Sequence, residues 1–354
     1  MARAFPVARL RAFAVSVFAA AGLSEADAQT VADVLVHADL RGHGSHGLTR
    51  IPIYAERIVA GAVKARPEIR IERPSPGFLH VDGDNGPGPV VTLRALEAAI
   101  EAAREQGVVA ASIAHSNHNG AGSFYVEKAI AAGCLAFAMT NAPPSMAVFG
   151  GREAVIGTNP ITFGAPTTSE APLLLDMATS VVARGKIVEG AKRGETIPPG
   201  WALDREGRPT TDAVAAEKGV VLPFGGAKGS ALAIMVEVLT GVLAGGRFAG
   251  SMGNLYSDYE MTQDVGHFLL VVDLSRTHLG AGFAERTGAL VAELKGSATA
   301  DGFERIRMPG EVEAELAADV AARGIALPDN VVADLDAIAR KVGAAPLGDE
   351  GGGA

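Results

Sequence analysis

Apolar residues repeat along this chain in two alternating patterns, one with the period of an α-helix and one with the short unbroken runs of buried strands. Leu93, Leu96 and Ile100 fall on one helical face, which predicts a helix over residues 92–106. The apolar runs at 108–114 and 135–140 predict buried strands. The same patterns predict further strands at 78–84, 173–175 and 266–274, and further helices at 124–132, 231–244, 311–323 and 330–342. This alternation predicts an α/β fold.

The N-terminal region predicts two helices, although its first residues also resemble a secretory signal. Three arginines precede an apolar stretch over residues 12–21, in the order that such a signal has. The same stretch forms one apolar helical face that ends at Gly22, and Ser24 with Asp27 predicts a capping box before a second helix. We favour the pair of helices, because both segments have the pattern of helices in a folded domain. No apolar run reaches the roughly 20 residues that span a bilayer.

Composition and charge narrow the class of protein. A chain of 354 residues with 48% hydrophobic content exceeds the size at which one core usually stops growing, so we expect two subdomains. The net charge of -9, without a cluster of basic residues, makes a nucleic-acid partner improbable. The single Cys134 cannot form an intrachain disulfide, which favours the cytoplasm. Residues 346–354 end in three glycines and predict a flexible tail.

Two histidine-rich stretches, at residues 41–50 and 115–122, carry the most informative chemistry. They hold four of the eight histidines, interleaved with glycine, serine and arginine, and each follows a predicted helix or strand. Imidazoles exchange protons near neutral pH, and Arg50, four residues after His46, can bind a carboxylate with two parallel hydrogen bonds. The stretches therefore predict proton transfer on a small acid. A third loop, the Pro- and Gly-rich residues 193–211, is predicted to cross the surface with Trp201 in a packing role.

The usual nucleotide-binding motifs do not occur in this sequence. The third glycine of the dinucleotide fingerprint is replaced by Tyr125 after Gly122 and by Val91 after Gly88. Lys228 precedes Gly229 in the wrong order for a phosphate-binding P-loop. A dinucleotide would therefore bind without the Rossmann signature.

Seven segments in chain order carry a resemblance to a known family. They are residues 41–47 with Arg50, 116–121, 140–144, 157–160, 175–180 with 183–186, 228–229 and 308–311. Together they resemble the type-2 malate/L-lactate dehydrogenase family, which includes ureidoglycolate and sulfolactate dehydrogenases and piperideine-2-carboxylate reductase. The resemblance implies an oxidoreductase that uses NAD or NADP, with NAD slightly favoured, and a homodimer with its active site between domains.

The resemblance also implies an α/β fold that is not a Rossmann fold. Taken with the helices predicted at both ends, it implies a cofactor-binding domain with a mixed sheet over residues 76–300. Residues 1–75 with 301–345 are expected to form a helical domain for substrate binding and dimer contacts.

Roles for single residues follow from the same resemblance. His118 corresponds to the family's proton-transferring histidine, with His46 as a second catalytic candidate, and Arg50 and Thr158 correspond to substrate-binding residues. The residues that correspond to cofactor contacts are Ala142, Asp176, Met177, Ala178, Lys228, Met308, Pro309 and Gly310. The family often has serine where this chain has Ala142, so a side-chain hydrogen bond to the cofactor is missing there.

The resemblance implies hydride transfer between nicotinamide and C2 of a 2-hydroxy or 2-oxo acid of the malate, sulfolactate or lactate type. Reduction of a cyclic imine, a piperideine- or pyrroline-2-carboxylate, is the main alternative. A metal-dependent hydrolase is a further one, because His43, His46, His115 and His118 with Asp39 or Asp176 are residue types that bind metals. We disfavour it, since metal-binding histidine pairs on helices are four residues apart and glycines would hold these ones poorly. No metal is therefore expected.

Three candidates also have plainer interpretations. Arg50 could pair with Glu56 or Asp39 at the surface, Asp176 could only cap a turn, and Lys228 could be solvated. His43 and His115 are expected to be structural hydrogen-bonding residues.

Overall fold

The structure is a computed structural model that describes residues 2–255, 259 and 261–348. The helices are α1 Val7–Ala20, α2 Glu25–Leu40, α3 Ile51–Val59, α4 Gly88–Gln106, α5 Ser123–Ala131, α6 Arg184–Arg193, α7 Ala213–Glu217, α8 Ala227–Glu237, α9 Gly282–Lys295, α10 Glu311–Arg323 and α11 Asp329–Val342. The strands are β1 Ala2–Phe5, β2 Arg70–Ser75, β3 Phe78–Asp82, β4 Val108–Ser116, β5 Cys134–Thr140, β6 Ile161–Ala165, β7 Leu173–Met177, β8 Ala202–Leu203, β9 Pro209–Thr210, β10 Val220–Val221, β11 Val265–Asp273 and β12 Ile325–Pro328. Most of the predicted tail, including its three glycines, lies outside the described residues.

Seven strands form one mixed sheet in the order β2-β3-β4-β11-β5-β6-β7. β3 and β4 are parallel, and α4 supplies the crossover that a parallel pair needs. Every other pair of neighbours in this sheet is antiparallel. A doubly wound dinucleotide-binding sheet is mostly parallel, so the prediction of an α/β fold with a mixed, non-Rossmann sheet is confirmed.

The sheet is covered by α4 and α5. Alternate residues of β4, including Val109 and Ile113, are buried against apolar residues of α4 such as Leu96 and Ala99. The strand continues two residues beyond the predicted run and ends at Ser116. The loop that carries His118 therefore starts at a rigid edge of the sheet.

A second hydrophobic cluster joins the two ends of the chain. Leu10, Phe13 and Val17 of α1 are buried with α2, α3 and α11, so the helical interpretation of the N-terminal region is confirmed. Ser24 caps α2 by accepting a hydrogen bond from the Asp27 backbone N–H, as predicted. Among the described residues no helix combines the length and the apolar character needed to cross a bilayer.

The proposed domain boundaries stay a prediction, and one strand departs from them. β2 lies within the segment assigned to the helical domain, yet it pairs with β3 at the edge of the sheet. All of its residues are exposed, which explains why no apolar pattern marked it as a strand.

The prediction of a surface loop over residues 193–211 is wrong in part. β8 and β9 lie inside it and form a small sheet with β10, and Trp201 packs against the cluster that this sheet covers. Strands of two residues are too short to show a period in the sequence, so the loop interpretation missed them. The packing role predicted for Trp201 is confirmed.

Candidate active site

The register of the sheet brings four predicted site segments to the same end of its strands. Met139 at the end of β5 pairs with Ile161 at the start of β6, which pairs with Met177 at the end of β7. Ser116 at the end of β4 pairs with Val265 at the start of β11. The loops at one end of these strands therefore carry the predicted site residues His118, Ala142 and Thr158, and Met177 ends β7 at the same end.

His118 lies in the loop between β4 and α5 and is held from two sides. The hydroxyl of Tyr54, in α3, is 2.5 Å from Nδ1 of His118. The backbone N–H of Gly120 donates to the same nitrogen at 3.3 Å. These contacts leave Nε2 as the nitrogen that can face a substrate.

His46 lies beside His118, with their ring centroids 5.4 Å apart. It ends the first of two 3₁₀ turns, Gly44–His46 and Leu48–Arg50, between α2 and α3. Asp39 anchors these turns by accepting a hydrogen bond of 2.7 Å from the Leu48 backbone N–H. A Cβ atom at Gly47 would overlap the Asp39 carboxylate, so a larger residue there would displace this carboxylate from the Leu48 N–H.

Arg50 completes this cluster of cationic and imidazole groups. Its Nε donates to the carbonyl oxygen of Ser45 at 2.6 Å, within the same pair of turns. Glu56, one of the two predicted surface partners of Arg50, lies 3.0 Å from the Lys341 ammonium. The positive charge of Arg50 lowers the pKa of both His46 and His118.

Burial keeps both histidines of the cluster neutral. It is the main cause that lowers the pKa of His118 well below its ordinary value, with smaller effects of Arg50, His46 and His267. Burial, Arg50 and His43 lower the pKa of His46 to about 4. A bound carboxylate would add negative charge here and so would raise both pKa values.

The loops that follow β5 and β7 are joined by backbone hydrogen bonds. Thr179 donates its N–H to the carbonyl oxygen of Thr158 at 2.9 Å, and Phe224 donates its N–H to the carbonyl oxygen of Thr179 at 3.1 Å. Asn159 accepts the N–H of Ala142 at 3.0 Å. The segments predicted to contact a cofactor at 142, 177–178 and 228 therefore lie next to one another.

The N-terminus of α8 forms a glycine-lined cradle. Gly225 and Gly226 have left-handed φ angles of 56° and 62°, and a Cβ at Gly229 would overlap the Phe224 carbonyl oxygen. Lys228, in the first turn of α8, is exposed. The positive end of the helix dipole and the charge of Lys228 both favour an anion at this position, so these residues fit the phosphates of a dinucleotide. Whether Lys228 contacts cofactor or only solvent stays a prediction.

Asp176 makes two hydrogen bonds inside the protein. Its Oδ2 accepts the N–H of Ser123, the first residue of α5, at 2.8 Å, and its Oδ1 accepts the Thr162 hydroxyl at 2.9 Å. The side chain thus ties the end of the His118 loop to β6 and β7, which favours the plainer capping role. Its contact with a cofactor stays a prediction.

The predicted contact loop at 308–310 lies at the other end of β7. Pro309 accepts the N–H of Leu174 at 3.0 Å, and Gly310 has a φ of 92° with Leu174 packed against it. Leu174 and Met177 are three residues apart on this strand, which is about 10 Å. The loop is therefore near the cofactor segments but not beside His118.

Sequence reasoning missed three residues around His118. Tyr54 lies one helical turn after Arg50, so recognising α3 would have predicted that both share a face. Gln263 accepts the N–H of His118 at 3.3 Å, because β11 runs antiparallel to β4 and brings it there. Asn117 lines the same region, and it belongs to segment 116–121 that carries the resemblance, which gave it no role of its own.

The four histidines of the metal hypothesis do not form a ligand set. Within the part of the chain that the structure describes, no group of three or more His, Cys, Asp and Glu side chains could hold a metal ion. His115 instead contacts Asp264, with Nδ1 and Oδ1 2.9 Å apart. This arrangement agrees with the structural role expected of His115.

A buried histidine, His267, lies next to the start of the loop that carries His118. His267 in β11 is 0% exposed, and its ring nitrogens lie 2.8 Å from the Thr140 hydroxyl and 2.9 Å from the Ser116 hydroxyl. It thus connects β11 to the ends of β5 and β4, and Ser116 at the end of β4 is where the His118 loop begins. Burial lowers the pKa of His267 to about 3.

We expect His267 to make the protein sensitive to acid. Its pKa is 6.5 when unfolded and about 3 when folded, so the unfolded state binds more protons below pH 6.5 and stability falls with the pH. Between pH 7 and 4.5 the free energy of unfolding should drop by about 2–3 kcal/mol from this residue. Urea unfolding at both pH values should show that His267→Gln loses less stability than wild type over this interval. Equal losses in both proteins would contradict the prediction.

Comparison with known proteins gives matches along nearly the whole chain. The family model of malate/L-lactate dehydrogenase matches residues 5–336. Malate dehydrogenase of Pyrococcus horikoshii is 38% identical over 346 residues, which are 96% of this chain and 95% of that protein.

Solved structures share the fold. Sulfolactate dehydrogenase of Methanocaldococcus jannaschii has a TM-score of 0.91 at 33% identity, covering 97% of this chain and 98% of that one. The delta1-piperideine-2-carboxylate reductase of Pseudomonas syringae pathovar tomato has a TM-score of 0.84 at 32% identity, covering 95% and 99%. The mixed sheet is therefore found in enzymes that act on different substrates.

Proposed function

The chain belongs to the malate/L-lactate dehydrogenase family and is an oxidoreductase, and on that premise we propose that it interconverts small 2-hydroxy and 2-oxo acids with NAD(P). The observation that carries this proposal is the cluster at the sheet edge. It combines one guanidinium, Arg50, with two half-buried histidines that are kept neutral by desolvation, His46 and His118. An arginine binds the carboxylate that all these substrates share, and an imidazole transfers the proton of the neighbouring oxygen.

We assign the proton transfer to His118 and the carboxylate to Arg50. In reduction, Nε2 of His118 as an imidazolium gives its proton to the oxygen at C2, and in oxidation neutral His118 removes the hydroxyl proton. The substrate carboxylate paired with Arg50 raises the pKa of His118, so the imidazolium becomes accessible only when substrate is bound. We assign His46 as a second catalytic residue and Thr158 as a second substrate-binding residue.

The cofactor would lie along the loops between β7 and α8. Its phosphates fit the glycine-lined cradle with Lys228, and Ala142, Asp176, Met177, Ala178 and residues 308–310 would also hold it. A bound nicotinamide would supply or accept the hydride at C2 of the substrate. NAD and NADP both remain candidates, with NAD slightly favoured.

A cyclic imine is the second candidate substrate. The likeness to a piperideine-2-carboxylate reductase favours it, and such an imine carries the same carboxylate beside the reducible carbon. Malate, sulfolactate and lactate differ from one another only beyond C2, where no residue of the cluster separates them.

A substrate panel tests the proposal. Purified protein should be assayed with malate-, sulfolactate- and lactate-type 2-oxo acids and with the two cyclic imines, each with NADH and NADPH. Cofactor oxidation with one of the acids supports the main proposal, and oxidation with the imines alone supports the second. Absence of cofactor oxidation with every compound would refute both.

We also place the protein in the cytoplasm. Cys134 is a free buried thiol, and burial raises its pKa to about 11, so it is kept unreactive by the fold. A single free thiol suits a reducing compartment.

The surface of α8 and of the π-helical segment Val238–Val242 that follows it supports a homodimer. Ile234, Val238 and Val242 are spaced four residues apart and are 46%, 49% and 57% exposed, which makes one apolar stripe on the surface. Monomeric proteins rarely expose such a contiguous stripe. A second copy packed on the same stripe would bury it in a twofold interface.

We expect the wild-type protein to be a dimer and Val238→Glu to weaken it. The substitution places a charge in the centre of the apolar stripe, where burial would be costly. Light scattering at micromolar concentration should give the dimer mass for wild type and a lower mass for the variant. Val214→Glu, at a residue 41% exposed in α7, is the matched control and should stay dimeric. A monomeric wild-type protein would contradict the proposal.

A further inference from the structure

Ala142 is a predicted cofactor contact whose methyl side chain cannot form a hydrogen bond. Its backbone offers two polar groups, the N–H and the carbonyl oxygen. The N–H is already used, because it donates to Oδ1 of Asn159 at 3.0 Å. No group of the described residues donates to the carbonyl oxygen, and a Cβ atom at Gly157 would overlap that oxygen. Glycine at position 157 thus leaves the oxygen uncovered and able to accept a hydrogen bond from a ligand.

Asn159 is fully buried, and its amide group can have only one orientation. Nδ2 of Asn159 donates to Oε2 of Glu237 at 2.5 Å and to the carbonyl oxygen of Ala233 at 3.0 Å. Turning the amide over would place its oxygen against these two acceptors and its N–H2 group against the N–H of Ala142. The hydrogen bond from Asn159 therefore fixes the direction of the Ala142 peptide group.

Glu237 of α8 determines which way the amide of Asn159 faces. The side chain is buried, and its other oxygen, Oε1, accepts the N–H of Ala249 at 2.7 Å. A carboxylate accepts hydrogen bonds and donates none, so Glu237 needs the N–H2 group of Asn159 on its side. A chain of hydrogen bonds thus runs from Glu237 through Asn159 to the backbone of Ala142.

The position of Ala142 in the sheet indicates which part of a dinucleotide it would meet. β4 and β5 lie on either side of β11, so their ends are about 10 Å apart. Ala142 follows the end of β5 by two residues, and His118 follows the end of β4 by two residues. The hydride must reach a substrate that exchanges its proton with His118, so the nicotinamide belongs at this end of the strands.

We propose that the carbonyl oxygen of Ala142 accepts a hydrogen bond from the carboxamide of the nicotinamide, and that Asn159 and Glu237 are positioning residues for this oxygen. The carboxamide N–H2 is the only hydrogen-bond donor of the nicotinamide group. A backbone acceptor thus takes the place of the serine hydroxyl that this chain lacks at position 142. The inference rests on the proposed function, since it requires a nicotinamide cofactor.

A cofactor analogue tests the hydrogen bond directly. The 3-acetylpyridine analogue has a methyl group where the carboxamide has its N–H2, so it cannot donate to Ala142. Isothermal titration calorimetry of the whole protein gives dissociation constants for reduced NAD, for reduced NADP and for the reduced analogue of the tighter of the two. We call the ratio of analogue to cofactor the carboxamide preference. In wild type it should be on the order of threefold to tenfold, as one neutral hydrogen bond provides.

Asn159→Asp should weaken cofactor binding. The new side chain keeps an oxygen for the N–H of Ala142 but places a second carboxylate against that of Glu237, and the two repel unless they share a proton. Titration at about pH 9 disfavours this shared proton. The cofactor should then bind about tenfold more weakly, and the carboxamide preference should fall toward one.

Adding Glu237→Gln to Asn159→Asp should restore both quantities. In the double variant the donor and the acceptor exchange places, because the new N–H2 group donates to the new carboxylate while the glutamine oxygen still accepts the N–H of Ala249. The affinity and the preference should lie within about threefold of wild type. Glu293→Gln, at an exposed residue of α9, is the matched control. Combined with Asn159→Asp it gives the same net charge and should restore neither quantity.

Three outcomes would overturn the proposal. They are equal affinity of wild type for cofactor and analogue, wild-type binding by Asn159→Asp, and a double variant without carboxamide preference. The double variant keeps the size and charge of the native pair, so it decides the matter even if Asn159→Asp alone does not fold. A wild-type protein that binds neither reduced cofactor would instead refute the proposed function.

Discussion

Replacing His118 by asparagine should lower turnover by roughly 10²–10⁴-fold. Asparagine keeps a polar side chain in the loop but cannot carry a proton between the substrate oxygen and solvent. The residues assigned to the cofactor lie on other loops, so the affinity for reduced cofactor should change little. Steady-state kinetics and a cofactor-binding titration measure the two quantities separately.

His115 offers the matched control for this variant. It lies three residues earlier, contacts Asp264 rather than Tyr54, and has a left-handed φ of 54° that asparagine tolerates. His115→Asn should therefore stay within a few-fold of wild type. If His118→Asn also stays within a few-fold, another group transfers the proton.

The second large effect is expected at Arg50. A guanidinium gives a carboxylate both a charge and two directed hydrogen bonds, whereas lysine gives the charge alone. Arg50→Lys should retain part of the activity, and Arg50→Ala should lose at least about 2–3 kcal/mol in kcat/KM. The assay is the initial rate over a range of the best 2-oxo acid.

A substrate amide separates carboxylate binding from a structural role of Arg50. The amide lacks the negative charge, so it should be nearly as poor with wild type as with Arg50→Ala. A wild-type protein that reduces the amide as well as the acid would show that Arg50 does not bind the carboxylate. The assignment of the substrate class would then fail as well.

Local patterns in the sequence predicted the elements whose apolar residues are regularly spaced. The range predicted for α10 agrees with the observed Glu311–Arg323, because a Gly precedes it and its acidic first turn marks the start. The strands on either side of the site were predicted from unbroken apolar runs. The loop after β4 could then be identified from its glycines and histidines, whereas the site segments after β5 and β7 were identified by the family resemblance.

What the sequence did not predict depends on contacts between distant segments. Gln263 reaches His118 across 145 positions, and only the antiparallel return of β11 brings it there. Tyr54 was missed for a different reason. Residues 41–50 were interpreted as a functional loop because of their histidines, and the helix α3 that follows them directly was not predicted. Its buried residues Ile51, Ala55 and Ile58 do have helical spacing.

The placement of Cys134 gives the protein a built-in reporter of unfolding. The thiol is 1% exposed and is the only one in the chain, so an alkylating reagent can reach it only when the start of β5 opens. Cys134 pairs with Asp273 of β11, whereas the pairs between β5 and β6 begin at Ala136. The labelling rate of unmodified protein therefore measures how often the start of β5 separates from β11.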